Sequence, residues 1–241
     1  MTNTEAWDRV AARQGDATEA DVVQYGPDLP TEAELRLLGD LAGKRVVDLG
    51  CGRGENAVTI ARQGAHTIGI DRAGSALASG RRLAEAYEVR VEWHEGDVAD
   101  LAFLRADSID LALATGVLAE VEDVDRLLRQ VHRVLRAGAP FVFSYDHPIA
   151  LCVSRENAPP GSLPFGNLEV RQSYFEPGPI RVQRDGEEMT LYPRTVAEIF
   201  AALHRAGYRV DTVLEPEPVR SADPGPSVPT AIIWRARKEG V

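Results

Sequence analysis

Asp48 heads the run Asp48-Leu49-Gly50-Cys51-Gly52-Arg53-Gly54, an acid followed by three glycines at alternate positions. A backbone without Cβ atoms can turn tightly and approach a ligand that side chains would push away, so a nucleotide-like ligand is the natural occupant. The dinucleotide pattern G-x-G-x-x-G fails, because it needs Gly or Ala at position 55 and meets Glu55. A glutamate beside a pyrophosphate is electrostatically unfavourable. An acid just ahead of the turn suits instead a ligand that carries an ammonium and a sulfonium. A second acid, Asp71, ends Ile68-Gly69-Ile70-Asp71, 23 positions after Asp48, where a carboxylate can accept hydrogen bonds from both hydroxyls of a ribose. Asp97 follows Glu95-Gly96, and Tyr145-Asp146-His147 gathers three titratable groups.

These residues need elements to bring them together, and from Lys44 short β-branched runs alternate with amphipathic segments. Strands are predicted at 45–49, 66–70, 89–93, 109–114 and 141–145. Helical spacing joins Ala57, Val58, Ile60 and Ala61 before Gly64, and Ala76, Gly80, Leu83, Ala84 and Tyr87. It is clearest through Val124, Leu127, Leu128, Val131 and Leu135, with Gly138 as the stop. That rhythm means a parallel sheet with helices on both faces. The first 43 residues begin polar, and Thr31, Glu32 and Glu34 then open a helical run through Leu35, Leu37, Leu38 and Leu41.

After Asp146 the alternation stops for some forty residues rich in proline and glycine, with His147-Pro148, Pro159-Pro160-Gly161, Pro164 and Pro177-Gly178-Pro179. A stretch that long inside a compact domain usually has a function. Residues 180–183 and 188–192 flank Arg184-Asp185-Gly186 as a hairpin. Thr195 and Glu198 form a capping box for a helix carrying Val196, Ile199, Phe200 and Leu203 to Gly207. Two strands, 209–214 and 230–237, close the chain.

The 241 residues fall near the upper limit of a single hydrophobic core, so one domain is expected. Lys and Arg number 27 against 37 Asp and Glu, and the resulting charge of −10 opposes binding to a polyanion. Cys51 and Cys152 have no second Cys or His at zinc-ligand spacing and read as reduced thiols. The first eleven residues lack the apolar stretch of a signal peptide, and no run of about 18 apolar residues occurs. The expectation is a cytoplasmic protein without a metal, nucleic-acid or membrane partner.

Asp48 with its three glycines on a first strand, Asp71 on the second and Asp97 after the third together make the sequence resemble the class I S-adenosylmethionine-dependent methyltransferases. Among these it is most similar to the ubiquinone-biosynthesis-like enzymes of small molecules. The resemblance covers about residues 44–145 and, more loosely, the last helix and two strands. It implies an α/β fold, a doubly wound Rossmann-like seven-stranded mostly parallel sheet with the last strand antiparallel. Residues 1–43 would be a helical cap, 44–146 the cofactor-binding core, 147–193 an acceptor-side insertion after strand five that shapes the acceptor pocket, and 194–241 the closing helix and strands. The implied cofactor is S-adenosylmethionine, with S-adenosylhomocysteine as product. The resemblance assigns Asp48, Gly50, Cys51, Gly52 and Gly54 to the cofactor loop, with Cys51 a small filler rather than a nucleophile. It assigns Asp71 to the ribose with Arg72 beside it at the rim, Asp97 and Val98 to adenine, and Ala114, Thr115 and Gly116 to the methionine part. Tyr25 and Gly26 would close over the cofactor.

Methyl transfer is an in-line displacement, so the acceptor must be aligned and, if a hydroxyl or ammonium, deprotonated. A base is expected past strands four and five, where Tyr145, Asp146 and His147 stand. His147 is preferred, since an imidazole titrates at about 6.5; alternatively, His147 before Pro148 only turns the chain and hydrogen-bonds locally. Glu120, in Leu118-Ala119-Glu120, is a further candidate for the base, ranked below these and read first as a first-turn helix acid. Relatives carry a histidine near this place, where this chain has Ala119. Trp7, Tyr25, Phe165, Tyr174 and Phe175 are either pocket walls or core packing. No Asn/Asp-Pro-Pro-aromatic motif of nucleic-acid base methylases follows strand four, which leaves a small-molecule acceptor and a monomer or homodimer. The alternatives are an RNA or protein methyltransferase, and a non-catalytic protein that binds S-adenosylmethionine.

Overall fold

The computed structural model describes residues 2–154, 169–175, 178–219 and 228–240; Pro159, Pro160, Gly161, Pro164, Phe165 and Pro177 lie outside them. Along the chain, α1 (Asn3–Gln14) and α2 (Glu32–Leu35) precede β1 (Arg45–Leu49), α3 (Glu55–Arg62), β2 (His66–Asp71), α4 (Gly74–Ala86) and β3 (Val91–Glu95). Then come β4 (Leu111–Thr115), a 3-10 turn at Leu118–Glu120, α5 (Val124–Val134), β5 (Pro140–Asp146), α6 (Pro148–Cys152) and the two-residue strands β6 (Val153–Ser154) and β7 (Glu169–Val170). The hairpin β8 (Ile180–Arg184) and β9 (Glu187–Leu191), α7 (Val196–Arg205), β10 (Tyr208–Leu214) and β11 (Ala231–Lys238) complete the order.

Seven strands form one sheet in the order β10-β11-β5-β4-β1-β2-β3. β11 runs antiparallel to both its neighbours, β5 and β10, and the other pairings are parallel. Side chains of a strand alternate between the two faces. Val47, Leu49, Ala112, Ala114, Phe141 and Phe143 therefore pack with α5 and α7, while Val46, Leu111, Leu113 and Val142 pack with α3 and the N-terminal segment. With both faces covered, the central strands read as near-continuous apolar runs. The single polar interruption in β1 is Asp48, on the face of Val46.

Strands and helices of the alternating region lie where the spacing predicts them, within a few residues. Strand β3 begins two residues later than expected, because Glu88 adopts a left-handed φ of 53° and the Val89 N–H still bonds back to the Ala84 carbonyl. Asp185 and Gly186 both have positive φ, 49° and 79°, the combination of a two-residue type I′ hairpin turn. The capping box of α7 forms as predicted.

The N-terminal helix is corrected. The run expected from Thr31 to Gly43 stays helical only over Glu32–Leu35, and Arg36 ends it with a φ of 53°. The Glu32 carboxylate accepts from the Leu37 and Leu38 N–H groups at 2.9 and 2.8 Å, which satisfies them without a helix. Leu37, Leu38 and Leu41 are buried from irregular chain. The helix lies instead at α1, closed by a Thr2–Glu5 capping box. Asp8 of α1 accepts from Ser75 N at 3.0 Å and Ser75 Oγ at 2.7 Å, capping α4, whose own N-cap residue, Ala73, has no side-chain acceptor.

Candidate active site

The C-terminal ends of β1, β2 and β4 open into a cavity of about 550 Å³. Gly50 takes a φ of 69°, and a Cβ there would stand 2.8 Å from the Val117 Cβ. Gly52, at a φ of 54°, has nothing within 4 Å of the Cβ position, so its backbone faces open space. Gly54 is glycine for packing: a Cβ would lie 2.5 Å from the Trp93 ring, which also rests on Gly69 and Gly80. Cys51 is buried behind the loop against Ala57, Leu77 and Trp93. Burial pushes its thiol well above the ordinary value, with Asp48 and Asp71 adding to the effect, and leaves it a filler rather than a nucleophile.

Asp48 is buried, and among the described residues neither carboxyl oxygen has a hydrogen-bond partner. Burial, with like charge from Asp71 and Glu55, pushes its carboxyl up to about 7. A buried acid without a donor is costly, and it fits a ligand that brings an ammonium. Asp71 accepts from Gly52 N at 2.8 Å through Oδ2 and from Ala73 N at 2.9 Å through Oδ1. Each oxygen keeps a lone pair for an incoming hydroxyl, as a diol requires. Burial raises its pKa, and the two amides oppose that rise. Arg72, Val98, Thr115 and Gly116 share the cavity wall, and Ala114 sits in the core beneath it. Asp97 is exposed, its Oδ1 accepting from Ala99 N at 2.8 Å. Tyr25 is buried away from the cavity, its hydroxyl donating to Glu32, while Pro27 beside it lines the wall.

The far side of the cavity comes from α1, which the chain's rhythm does not predict, and from the predicted hairpin. Trp7, Val10, Ala11 and Gln14 of α1 face it, as do Arg184 and Asp185 from the hairpin. Alternation along β8 puts Arg184 on the inward face with Ile180 and Val182, and there it pairs with Asp146. Arg13 of α1 ties the roof together through Glu187 of β9, at 2.5 Å.

Glu120 is buried at 7 % exposure and lines this side of the cavity. Trp7 Nε1 donates to both its oxygens at 2.9 Å, and Asn3 Nδ2 donates to Oε2 at 3.0 Å. Asn3 in turn pairs with the Thr190 backbone of β9, in both directions at 2.8 Å. Burial raises the Glu120 pKa, and the Trp7 and Asn3 donors oppose it. The signals for this side were the Thr2–Glu5 box and the i, i+4 spacing of Ala6 and Val10. Its place after strand four makes Glu120 a candidate, but nothing local marks it as buried.

Of the three residues expected to supply a base, only Asp146 lines the cavity. His147 is corrected to the local reading: its Nδ1 accepts from Ile149 N at 3.1 Å as the N-cap of α6, and its Nε2 donates to Glu215 Oε1 at 2.9 Å. Both ring nitrogens are engaged, and the residue is buried outside the cavity. Tyr145 is buried beside a small cleft with Leu118, Pro148 and Leu151, and burial raises its hydroxyl pKa.

Residues 46–138 match the family model described as a methyltransferase domain. The ubiquinone biosynthesis O-methyltransferase of Hahella chejuensis is 35% identical over 104 residues, 43% of this chain and 44% of that protein. The chain thus matches less than half the length of such relatives. A structure from Listeria monocytogenes, described as a candidate S-adenosylmethionine-dependent methyltransferase, matches with a TM-score of 0.74 at 25% identity, over 87% of this chain and 98% of that one. An S-adenosylmethionine-dependent methyltransferase from Mesorhizobium loti matches with a TM-score of 0.70 at 29% identity, over 85% and 95%. Residues 46–138 thus match a methyltransferase domain, and over most of its length the chain is similar in fold to S-adenosylmethionine-dependent methyltransferases.

Proposed function

We propose that the protein moves a methyl group from S-adenosylmethionine to an O, N or C atom of a small molecule, in the cytoplasm, as a monomer or homodimer. The observation that carries this reading is the partnerless buried carboxylate of Asp48 behind a glycine loop at the edge of the cavity. Asp48 would hold the amino-acid ammonium of the cofactor, with the loop from Gly50 to Gly54 fitting closely against the ligand. Asp71 would bind the ribose diol, Val98 would pack on adenine with Asp97 at the rim, and Thr115 and Gly116 would line the methionine part. Bound S-adenosylmethionine would supply a sulfonium-activated methyl group.

The acceptor would enter between α1, the β8–β9 hairpin and the ends of β4 and β5. Trp7, Val117 and the Asp146–Arg184 pair shape that space. A small acceptor fits a cavity of this size, and the acidic balance of the chain agrees with a partner that is not a polyanion. Calorimetric titration with S-adenosylhomocysteine tests the reading: one site per chain is expected, and no binding would refute it.

A further inference from the structure

Among the described residues five acidic side chains line the cavity, and four are accounted for. Glu55 pairs with Arg53 at 2.8 Å, Asp146 pairs with Arg184, Asp71 is held by two backbone amides, and Asp185 is exposed on the hairpin turn. Glu120 is the buried one, and its hydrogen-bond donors, Trp7 and Asn3, are neutral. It ends the 3-10 turn that follows β4, and it lines the cavity together with Trp7 of α1, Asp146 of β5 and Arg184 of the hairpin. Two neutral donors fix the carboxylate's orientation without cancelling its charge.

From this placement we propose that Glu120 is the general base of the methyl transfer, the carboxylate that faces the reacting centre and takes the proton from the acceptor's hydroxyl or ammonium group. This rests on the methyltransferase reading above. The acceptor's lone pair forms the new bond to the methyl carbon, the carbon–sulfur electron pair returns to sulfur, and the acceptor's proton goes to a Glu120 oxygen and later to water. A sulfonium and a carboxylate are converted to a thioether and a carboxylic acid, so no charge is stranded in the closed site. The acceptor class is accordingly a nucleophile that carries a proton. Trp7 and Asn3 are positioning residues, and through Asn3 and Thr190 they place α1 and the hairpin around the same carboxylate.

Two cofactor analogues test this without knowledge of the acceptor. S-adenosylhomocysteine lacks any group where the methyl would be, whereas sinefungin carries an ammonium there. Sinefungin has carbon in place of the sulfur, but the amino-acid end, ribose and adenine are shared, so the ratio of their affinities, compared between variant and wild type, cancels the contributions of Asp48 and Asp71. With Glu120 facing the reacting centre, Glu120→Gln lowers sinefungin affinity about tenfold and leaves S-adenosylhomocysteine within about twofold. Equal loss of both ligands would reduce Glu120 to an anchor for α1 and overturn the proposal, as would no change in either. Binding of neither ligand to the wild-type protein would instead remove the methyltransferase reading.

The wild-type protein gives a second measurement should the variant fail to fold. The charges acting on Glu120 are Arg184 from the hairpin and Arg72 from the β2–α4 connection, and among the described residues Arg53, Glu55, Asp71, Asp146 and Asp185 share the cavity wall. Burial raises the Glu120 pKa, and protonation removes the charge that favours an ammonium. The sinefungin preference should therefore fall as acidification protonates Glu120. A ratio flat from pH 8 to pH 4.5 would overturn the proposal.

Discussion

Replacing Asp48 by Asn separates what this carboxylate costs the fold from what it gives the cofactor. In the protein without ligand its pKa is pushed up to about 7 from an ordinary 3.8. The native state therefore binds more protons than the unfolded chain between those values, and stability is greatest at low pH and lost as pH rises toward and through 7. Integrating the linkage from pH 5 to pH 8 gives a loss of about 3 kcal/mol, at about 1.4 kcal/mol per unit. For a chain of this size that is a fall of roughly 6–12 °C in Tm. Asp48→Asn cannot ionise, so its melting temperature should lack this component. Thermal melts of both proteins without ligand, at half-unit steps from pH 5 to 8, measure it directly. Parallel curves would refute the reasoning, because they would mean that water or a rotated side chain already satisfies the carboxylate. In the same samples S-adenosylhomocysteine should raise the wild-type Tm strongly and that of Asp48→Asn little, corresponding to an affinity loss of about 10–100-fold.

Three other changes follow from the same geometry. Asp71→Ala removes the acceptor for a diol and also frees Gly52 N and Ala73 N; S-adenosylhomocysteine affinity should fall at least about tenfold by calorimetry, and an unchanged value would remove Asp71 from the site. Gly69→Ala puts a Cβ 2.8 Å from the Trp93 ring and 3.0 Å from Cys51 Sγ; urea unfolding should show a loss of about 1–3 kcal/mol, with reduced cofactor affinity because Cys51 belongs to the loop. His147→Ala removes the α6 cap and the Glu215 contact, costing about 1 kcal/mol, and should leave affinity for S-adenosylhomocysteine unchanged within error; a large affinity loss would return His147 to the site.

The cofactor half was legible because its signals are local. The acid and three glycines occupy seven consecutive positions, Asp71 and Asp97 are tied to strand ends, and the sheet rhythm is a matter of period. The helix through Leu41 misled because Leu37, Leu38 and Leu41 carry helical spacing while Glu32 satisfies their neighbourhood's N–H groups in an irregular chain. His147 misled because residue type and position after β5 suit a base, and the partner that engages its Nε2, Glu215, lies 68 residues away.

The sequence by itself determined the parallel sheet and the acids and glycines at its strand ends, since backbone period, turn chemistry and charge act over a few residues. Only the tertiary structure decided what closes the far side of the cavity. Glu120 meets Trp7 across 113 positions and Asn3 across 117, and Arg184 meets Asp146 across 38. No local pattern encodes such pairs, because each depends on how α1 and the hairpin pack onto the finished sheet. Burial then makes Glu120 something more than a first-turn acid, by withdrawing it from water and leaving it with neutral partners.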